Sequence, residues 1–354
     1  MKPAVKRKAR SSDTNSVPHA PPNGPEAANH NSDVVGCRWS NNSCAFDATL
    51  FILYNLWNSG PARCSHAFES FGNSWMVMLA SSFSKFADNK YTLEEARDFF
   101  RCRLNRDVGN MFAFGNETSV EALLMQWTKG SAEFAEVTYQ CGGGHICSRT
   151  THFCAVIEPG GTGTLRWTML QQFITNNKCM PLTDNESMCI QCGQQTFRKE
   201  TYLIAPPIIG FPVSFTRTMS DSTISITVVG EKVPYRLGGI VYFGERHYTA
   251  RYIDTNLDVW YNDGIALGWQ ALLEGRLVDI DLTTDHAGKA RDQFIYICMD
   301  LSADYWTSAY ISSKDEEQAL PAVTTPEEHH SVDGPSVRRI REENELLLWD
   351  IAAI

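Results

Sequence analysis

No stretch of the 354 residues approaches the roughly 18 consecutive apolar residues of a membrane span; the longest apolar runs, such as Leu50 to Leu53, are far shorter. The N-terminus lacks the apolar core that a signal peptide needs. Basic residues are scarce, with 31 Lys and Arg against 41 Asp and Glu and a formal charge of -10. Binding along a phosphate backbone is therefore not expected as the main activity. These absences predict an intracellular protein, in cytoplasm or nucleus, with neither membrane nor nucleic acid as its principal partner. Eleven Cys in a reducing compartment, an odd number, point away from disulfides and toward buried packing, metal ligation or nucleophilic chemistry.

Hydrophobic residues make up 43% of the chain and aromatics 11%, enough for a sizeable packed core. The composition divides the chain. Residues 1–34 are rich in Pro, Ala, Asn and Ser and cannot offset the entropy of ordering, so a disordered tail is expected. Its Lys2, Lys6, Arg7, Lys8 and Arg10 suit nuclear import or a plain solvated end. Residues 35–302 read as a folded body, and 303–336 as an acidic Ser/Thr/Pro linker. Within 337–354, Val337, Ile340, Asn344, Leu347 and Ile351 are spaced as on a short amphipathic helix, suited to weak docking on a partner.

The body changes texture along its length. Phe46, Leu50, Phe51, Leu53, Tyr54 and Trp57 recur at helical spacing after Cys44, and Asn58-Ser59-Gly60-Pro61 ends that run. Further helices are expected over 74–87, 93–104 and 119–127, with Thr92 and Thr118 as N-caps. Beyond Glu133, alternating β-branched and aromatic residues predict strands at 223–229, 239–243 and 294–298. The fold class implied is α+β.

Two segments carry chemistry. Asn41-Asn42-Ser43-Cys44 forms a polar turn that delivers a sulfur to a helix N-terminus, where free backbone N–H groups and the helix dipole favour an anion. Asn41 or Asn42 and the Cys44 amide are candidate donors to an oxyanion. About two hundred residues later, His247 starts a strand after a turn, and Asn262-Asp263-Gly264 closes the next strand. A carboxamide or carboxylate there can hold one imidazole nitrogen while the other meets a sulfur. Separately, Cys189-Ile-Gln-Cys192-Gly is a CxxC knuckle able to grip half of a tetrahedral Zn²⁺ site. Cys141 and His145 are the expected other half, with Cys147 as a competing ligand.

These segments resemble the ubiquitin-specific proteases. Asn42-Ser43-Cys44-Ala45-Phe46-Asp47 with Leu50 and Leu53 is similar to the family's cysteine box, and His247-Tyr248-Thr249-Ala250 with Tyr261-Asn262-Asp263 to its histidine box. Thr118 to Leu124 is similar to the thumb helix that follows the nucleophile. The resemblance spans residues 36 to 302 and keeps the order of the boxes. Trp39 stands where the family carries an oxyanion-hole Asn, Ala45 where it carries Tyr, and Arg246 where it carries Gly.

The resemblance implies a papain-like fold with a helical thumb (about 35–130), zinc-ribbon-like fingers (about 131–200) and a β-rich palm (about 201–302). It also implies removal of ubiquitin or a ubiquitin-like modifier from its conjugates. Cys44 is then the nucleophile, His247 the base, Asn262 its orienter with Asp263 as neighbour or substitute, and Asn42 an oxyanion donor. Cys141, His145, Cys189 and Cys192 would hold one structural Zn²⁺, and no organic cofactor is expected. Two other readings fit the same residues: a catalytically inactive modifier-binding scaffold, and a cysteine protease acting on a mobile-element or viral-type polyprotein.

Overall fold

A computed structural model of the chain describes residues 34–157, 168–176, 180–181, 188–214, 218–228 and 230–301. The basic cluster of the N-terminal tail, Cys179, the 303–336 linker and the 337–354 helix lie outside the described residues. Among the described residues no helix is long and apolar enough to cross a membrane.

The architecture is α+β, with helices first and strands after. Helices α1 (Cys44–Asn58), α2 (Pro61–Ser70), α3 (Ser74–Ala87), α4 (Leu93–Asp107) and α5 (Val120–Trp127) form a helical lobe. Strands β1 (Ala135–Cys141) and β2 (Ile146–His152) make a hairpin, followed by β3 (Thr168–Met169), helix α6 (Leu170–Asn176) and β4 (Met180–Pro181). Next come β5 (Thr196–Tyr202), β6 (Ile208–Pro212), β7 (Thr218–Met219) and β8 (Thr223–Val228). The chain continues through β9 (Glu231–Gly244), β10 (His247–Ile253), β11 (Asp258–Asn262), β12 (Leu272–Arg276) and β13 (Ala290–Cys298).

Local chemistry explains most boundaries. Thr92 caps α4 in a reciprocal capping box with Glu95, as expected. At α5 the expectation fails by one residue: Ser119, not Thr118, accepts from the Ala122 amide. Gly60-Pro61 reads in the sequence as a helix stop, but Pro61 also opens a new helix, α2, where its missing N–H costs nothing.

The main sheet runs β12-β11-β10-β9-β8-β5-β1-β2. Strand β9 is its spine. Its first half pairs with β8 and its second half with β10, while β13 lies along its other edge. Helix α1 is buried at every residue from Ala45 to Trp57 and packs on β9 and β10, so the helix that begins at Cys44 rests on the strand that begins at His247. Gly238 and Gly239 sit where β9 changes partner and permit this close approach. A Cβ at Gly238 would lie 2.8 Å from Leu56 Cδ1, and one at Gly239 would lie 2.7 Å from both Ile52 Cδ1 and the Arg251 carbonyl.

Gly239→Ala is expected to push α1 off the sheet and destabilise the protein by about 1–3 kcal/mol, the usual cost of overpacking. Urea titration should show a lower midpoint with an unchanged slope. A midpoint equal to that of the wild type would mean that helix and strand have slack.

Candidate active site and metal centre

The cysteine loop has no regular structure, yet side chains hold much of its backbone. Asn41 and Asn42 both have positive φ, 49° and 58°, a conformation Asn tolerates better than most residues. Ser43 precedes α1, but its hydroxyl donates to Asp47 Oδ2 at 2.6 Å and accepts from the Ser40 amide at 2.8 Å, leaving the first N–H groups of α1 without a side-chain cap. Arg97 Nη1 donates to Asp47 Oδ1 at 2.9 Å and to the Arg38 carbonyl at 2.6 Å. Arg101 donates to the carbonyls of Ser40 and Asn41 and stacks over Phe114. Asp47, Arg97 and Arg101 are all essentially buried. Burial raises the Asp47 carboxyl, while the Arg97 guanidinium and the Ser43 hydroxyl oppose that rise.

His247 follows a two-residue hairpin turn in which Glu245 and Arg246 both have positive φ, 53° and 60°, the signature of a type I′ turn. Arg246 reaches across to Glu117, with its Nε 3.0 Å from Oε1. The ring of His247 is half-buried; its Nε2 lies 2.8 Å from Asp263 Oδ1, and the Cys44 sulfur is close enough to bear on its charge. With Nε2 engaged, Nδ1 is the nitrogen left for the thiol. Burial works against the charge on the ring, but the hydrogen bonds and charges of Asp263 and Cys44 outweigh it and push the imidazole up to about 9.

Asp263 is held from several sides. Its Oδ1 also accepts from the amides of Ile265 (2.9 Å) and Ala266 (3.2 Å). Burial opposes its charge, yet His247 and these amides keep the carboxyl below the ordinary carboxylate range. The turn carrying it docks directly on the cysteine loop. The Trp39 amide donates to the Gly264 carbonyl, and a Cβ at Gly264 would lie 2.9 Å from the Cys37 carbonyl.

The structure therefore brings Cys44, His247 and Asp263 together and separates Asn262 from them. Asn262, expected as the orienter, is buried, and its Nδ2 donates to the carbonyls of Gly268 (3.0 Å) and Gln270 (2.7 Å). Neighbouring residues at a strand end point to opposite faces, and Asp263 has the phase that meets the ring. Asn42 is also placed differently from expectation, since its Nδ2 donates to the Gly115 carbonyl at 2.7 Å. Arg97 and Arg101 were missed; their signal was the apolar stripe of α4, Leu93, Ala96, Phe100 and Leu104, which they flank on its buried side.

At the other end of the sheet the two knuckles meet. The register of β1 on β5 sets Cys141 opposite Thr196, so the β1–β2 turn lies against the 189–193 knuckle. The ligand atoms of Cys141, His145, Cys189 and Cys192 all lie within 4.8 Å of one another. Cys141 Sγ is 3.4 Å from Cys192 Sγ and 3.6 Å from His145 Nδ1, and Cys189 Sγ is 3.8 Å from the same nitrogen. A tetrahedron with Zn–S bonds of about 2.3 Å has edges of roughly 3.8 Å, so the donor set fits one such ion. Burial raises the Cys189 thiol, but backbone amides of Cys192 and Gln191, with His145 and Cys141, bring it down to about 6. Cys147, the competing ligand, is outside this set.

No known family pattern matches the sequence, and no curated protein does. Among solved structures, the chain is similar to a SAGA DUB module, Ubp8/Sgf11/Sus1/Sgf73, bound to monoubiquitin, at 10% identity over 76% of this chain and 70% of that one, with a TM-score of 0.49. It is also similar to that module bound to ubiquitin aldehyde, at 10% identity over 76% and 70%, with a TM-score of 0.48. A third is a yeast SAGA DUB module carrying an altered Sgf73, at 12% identity over 76% and 69%, with a TM-score of 0.45.

Two expectations follow from this geometry. In NMR titrations the His247 ring should change charge at about pH 9 in the wild type, and about 1–2 pH units lower in Asp263→Asn. Asn262→Ala should leave that midpoint in place while lowering thermal stability. Folding raises this pKa above its ordinary 6.5, so the stability it contributes is complete below pH 6.5 and is lost as pH rises through about 9. An unmoved midpoint in Asp263→Asn would contradict the pairing. Metal analysis of the purified chain should find about one ion per molecule, and Cys189→Ser should lower both the metal content and Tm; a metal-free chain of full stability would contradict the tip site.

Proposed function

We propose that the protein is a thiol-dependent isopeptidase that removes ubiquitin or a ubiquitin-like modifier from its conjugates. The observation that carries this reading is the line of Cys44, His247 and Asp263 across the junction of α1 and the sheet, with the 2.8 Å His247–Asp263 contact orienting the base. The choice of ubiquitin rests on the three sequence boxes and their order.

In the proposed reaction His247, kept charged by its raised pKa, already holds the Cys44 proton, and the sulfur attacks the carbonyl carbon of the modifier's C-terminal glycine. The oxyanion falls to the backbone N–H of Cys44 and the uncapped first turn of α1, with the second N–H of the Asn42 amide, whose first is held by the Gly115 carbonyl, as a further donor. The tetrahedral species collapses, the C–N bond breaks, and His247 protonates the departing lysine amine. Water then gives a proton to His247 and attacks the thioester, releasing the free carboxylate and the thiol. Asp263 stays ionised throughout and stabilises the imidazolium.

We assign the tip cluster to a structural Zn²⁺. Three thiolates and one imidazole form a closed set with no open coordination position, so the ion would cross-link the two knuckles and take no part in hydrolysis. The departures of Trp39 and Arg246 from the family's boxes favour one second reading, a scaffold that binds the modifier without efficient turnover.

A ubiquitin carrying a C-terminal electrophile separates these readings. Covalent capture by the wild type, lost in Cys44→Ala and in His247→Ala, is the expected result. Tight but noncovalent binding would favour the scaffold. If neither ubiquitin nor its relatives bind or react, the modifier assignment fails and a thiol protease of other polypeptides takes its place.

A further inference from the structure

The metal cluster has a fifth donor beside it. Cys147 lies on the same hairpin as Cys141 and His145 and is exposed. Its sulfur sits 3.8 Å from the His145 carbonyl and 3.9 Å from Thr196 Oγ1, against both knuckles' strands. The ladder between β1 and β2 is irregular at this point. Tyr139 pairs with Ser148 and Gln140 with Ile146, so Cys147 is the residue left over, the extra member of a β-bulge. A bulged residue has no ladder partner to hold it, and bulges are where strands re-aim a side chain.

The four donors also differ in how firmly they are placed. Cys141 and Cys189 are buried, at 4% and 3% exposure, whereas His145 and Cys192 face solvent. The exposed imidazole is therefore a donor that can leave while the two buried sulfurs hold the frame. Beside it on the hairpin is the Cys147 thiol, against the carbonyl of His145 itself.

We propose that Cys147 is a reserve ligand, so that the site can hold its ion either as Cys141, His145, Cys189 and Cys192 or, when His145 departs, with Cys147 completing four thiolates. This rests on the metal assignment above. In the exchange the bond from His145 Nδ1 to the ion breaks and one from Cys147 Sγ forms; the thiol proton goes to the released imidazole. Zn²⁺ accepts three-thiolate and four-thiolate sets alike, and the bulge supplies the movement. The site would then resist loss of its most exposed ligand.

Full-length wild type, His145→Ala, Cys147→Ser and the double variant should be loaded with Co²⁺, whose sulfur charge-transfer absorption counts thiolates. Cys147 should then be mapped for alkylation by iodoacetamide. In the wild type, three thiolates and a reactive Cys147 are expected, and Cys147→Ser should match it in affinity. His145→Ala should still bind one ion, with charge-transfer absorption raised by about a third for the fourth thiolate and Cys147 now protected. The double variant should bind roughly a hundredfold more weakly or worse, one ligand's share of structural-zinc affinity. Acylating His145 in the folded, loaded wild type should give the same protection of Cys147 without any substitution. A His145→Ala protein with three thiolates and a reactive Cys147, or a Cys147→Ser protein that loses the ion, would overturn the proposal. A wild type that binds no Co²⁺ would remove the metal assignment itself.

Discussion

A buried ion pair, Asp47 with Arg97, is the contact on which the arrangement of this molecule turns. Both side chains are 2% exposed, and such pairs are poor sources of net stability because desolvation consumes most of their attraction. What they supply here is position. The segment from Arg38 to Ser43 has no helix or strand to satisfy its backbone, and buried carbonyls left unpaired are costly. Arg97 and Arg101 take up three of them, at Arg38, Ser40 and Asn41. Asp47 reaches the same cluster from the first turn of α1, and its Oδ2 lies against Gly264. A single set of buried charges thus locates the sulfur and the seat of the turn that carries Asp263.

The second constraint is steric. The helix bearing Cys44 and the strand bearing His247 come from opposite halves of the chain, and they meet because β9 presents bare backbone at Gly238 and Gly239 just where it exchanges β8 for β10. On the far side, the same sheet carries the metal-ligand cluster, whose two knuckles are aligned by the β1–β5 register. The candidate site and the tip are therefore held by one hydrogen-bonded framework.

Much of this was legible in the sequence, for identifiable reasons. Helix α1 announces itself through apolar spacing, α4 through Thr92 and Glu95, and the β9–β10–β11 succession through alternation around short turns. The knuckle spacing at Cys189 and Cys192 also marks a metal-ligand pair. What escaped was phase and partnership. Asn262 and Asp263 are adjacent amides and acids of similar size, and only the register that pairs Ala250 with Asn262 shows that Asp263 lies just beyond the ladder, on the imidazole's side. Thr118 and Ser119 pose the same problem one residue apart. Buried arginines on α4 read as solvated charge until the loop that needs them is in place. The choice between His145 and Cys147 depends on a bulge that no spacing rule foretells.

The turn at Glu245 and Arg246 carries a further implication. Two side-chain-bearing residues with left-handed backbone keep the hairpin at its minimum length, at a cost of order 1–3 kcal/mol each. Side chains alternate along a strand, so this tight reversal counts out which one faces the sulfur. Shortening the loop by one residue would present Tyr248 in place of the imidazole, a phenol that cannot serve as the base, and lengthening it would present the inserted residue there; either way the ring turns to the opposite face. The reversal thus works as a counting device: its composition can drift, but an insertion or deletion there would cost the molecule its chemistry and turn the buried faces of β10 over with it.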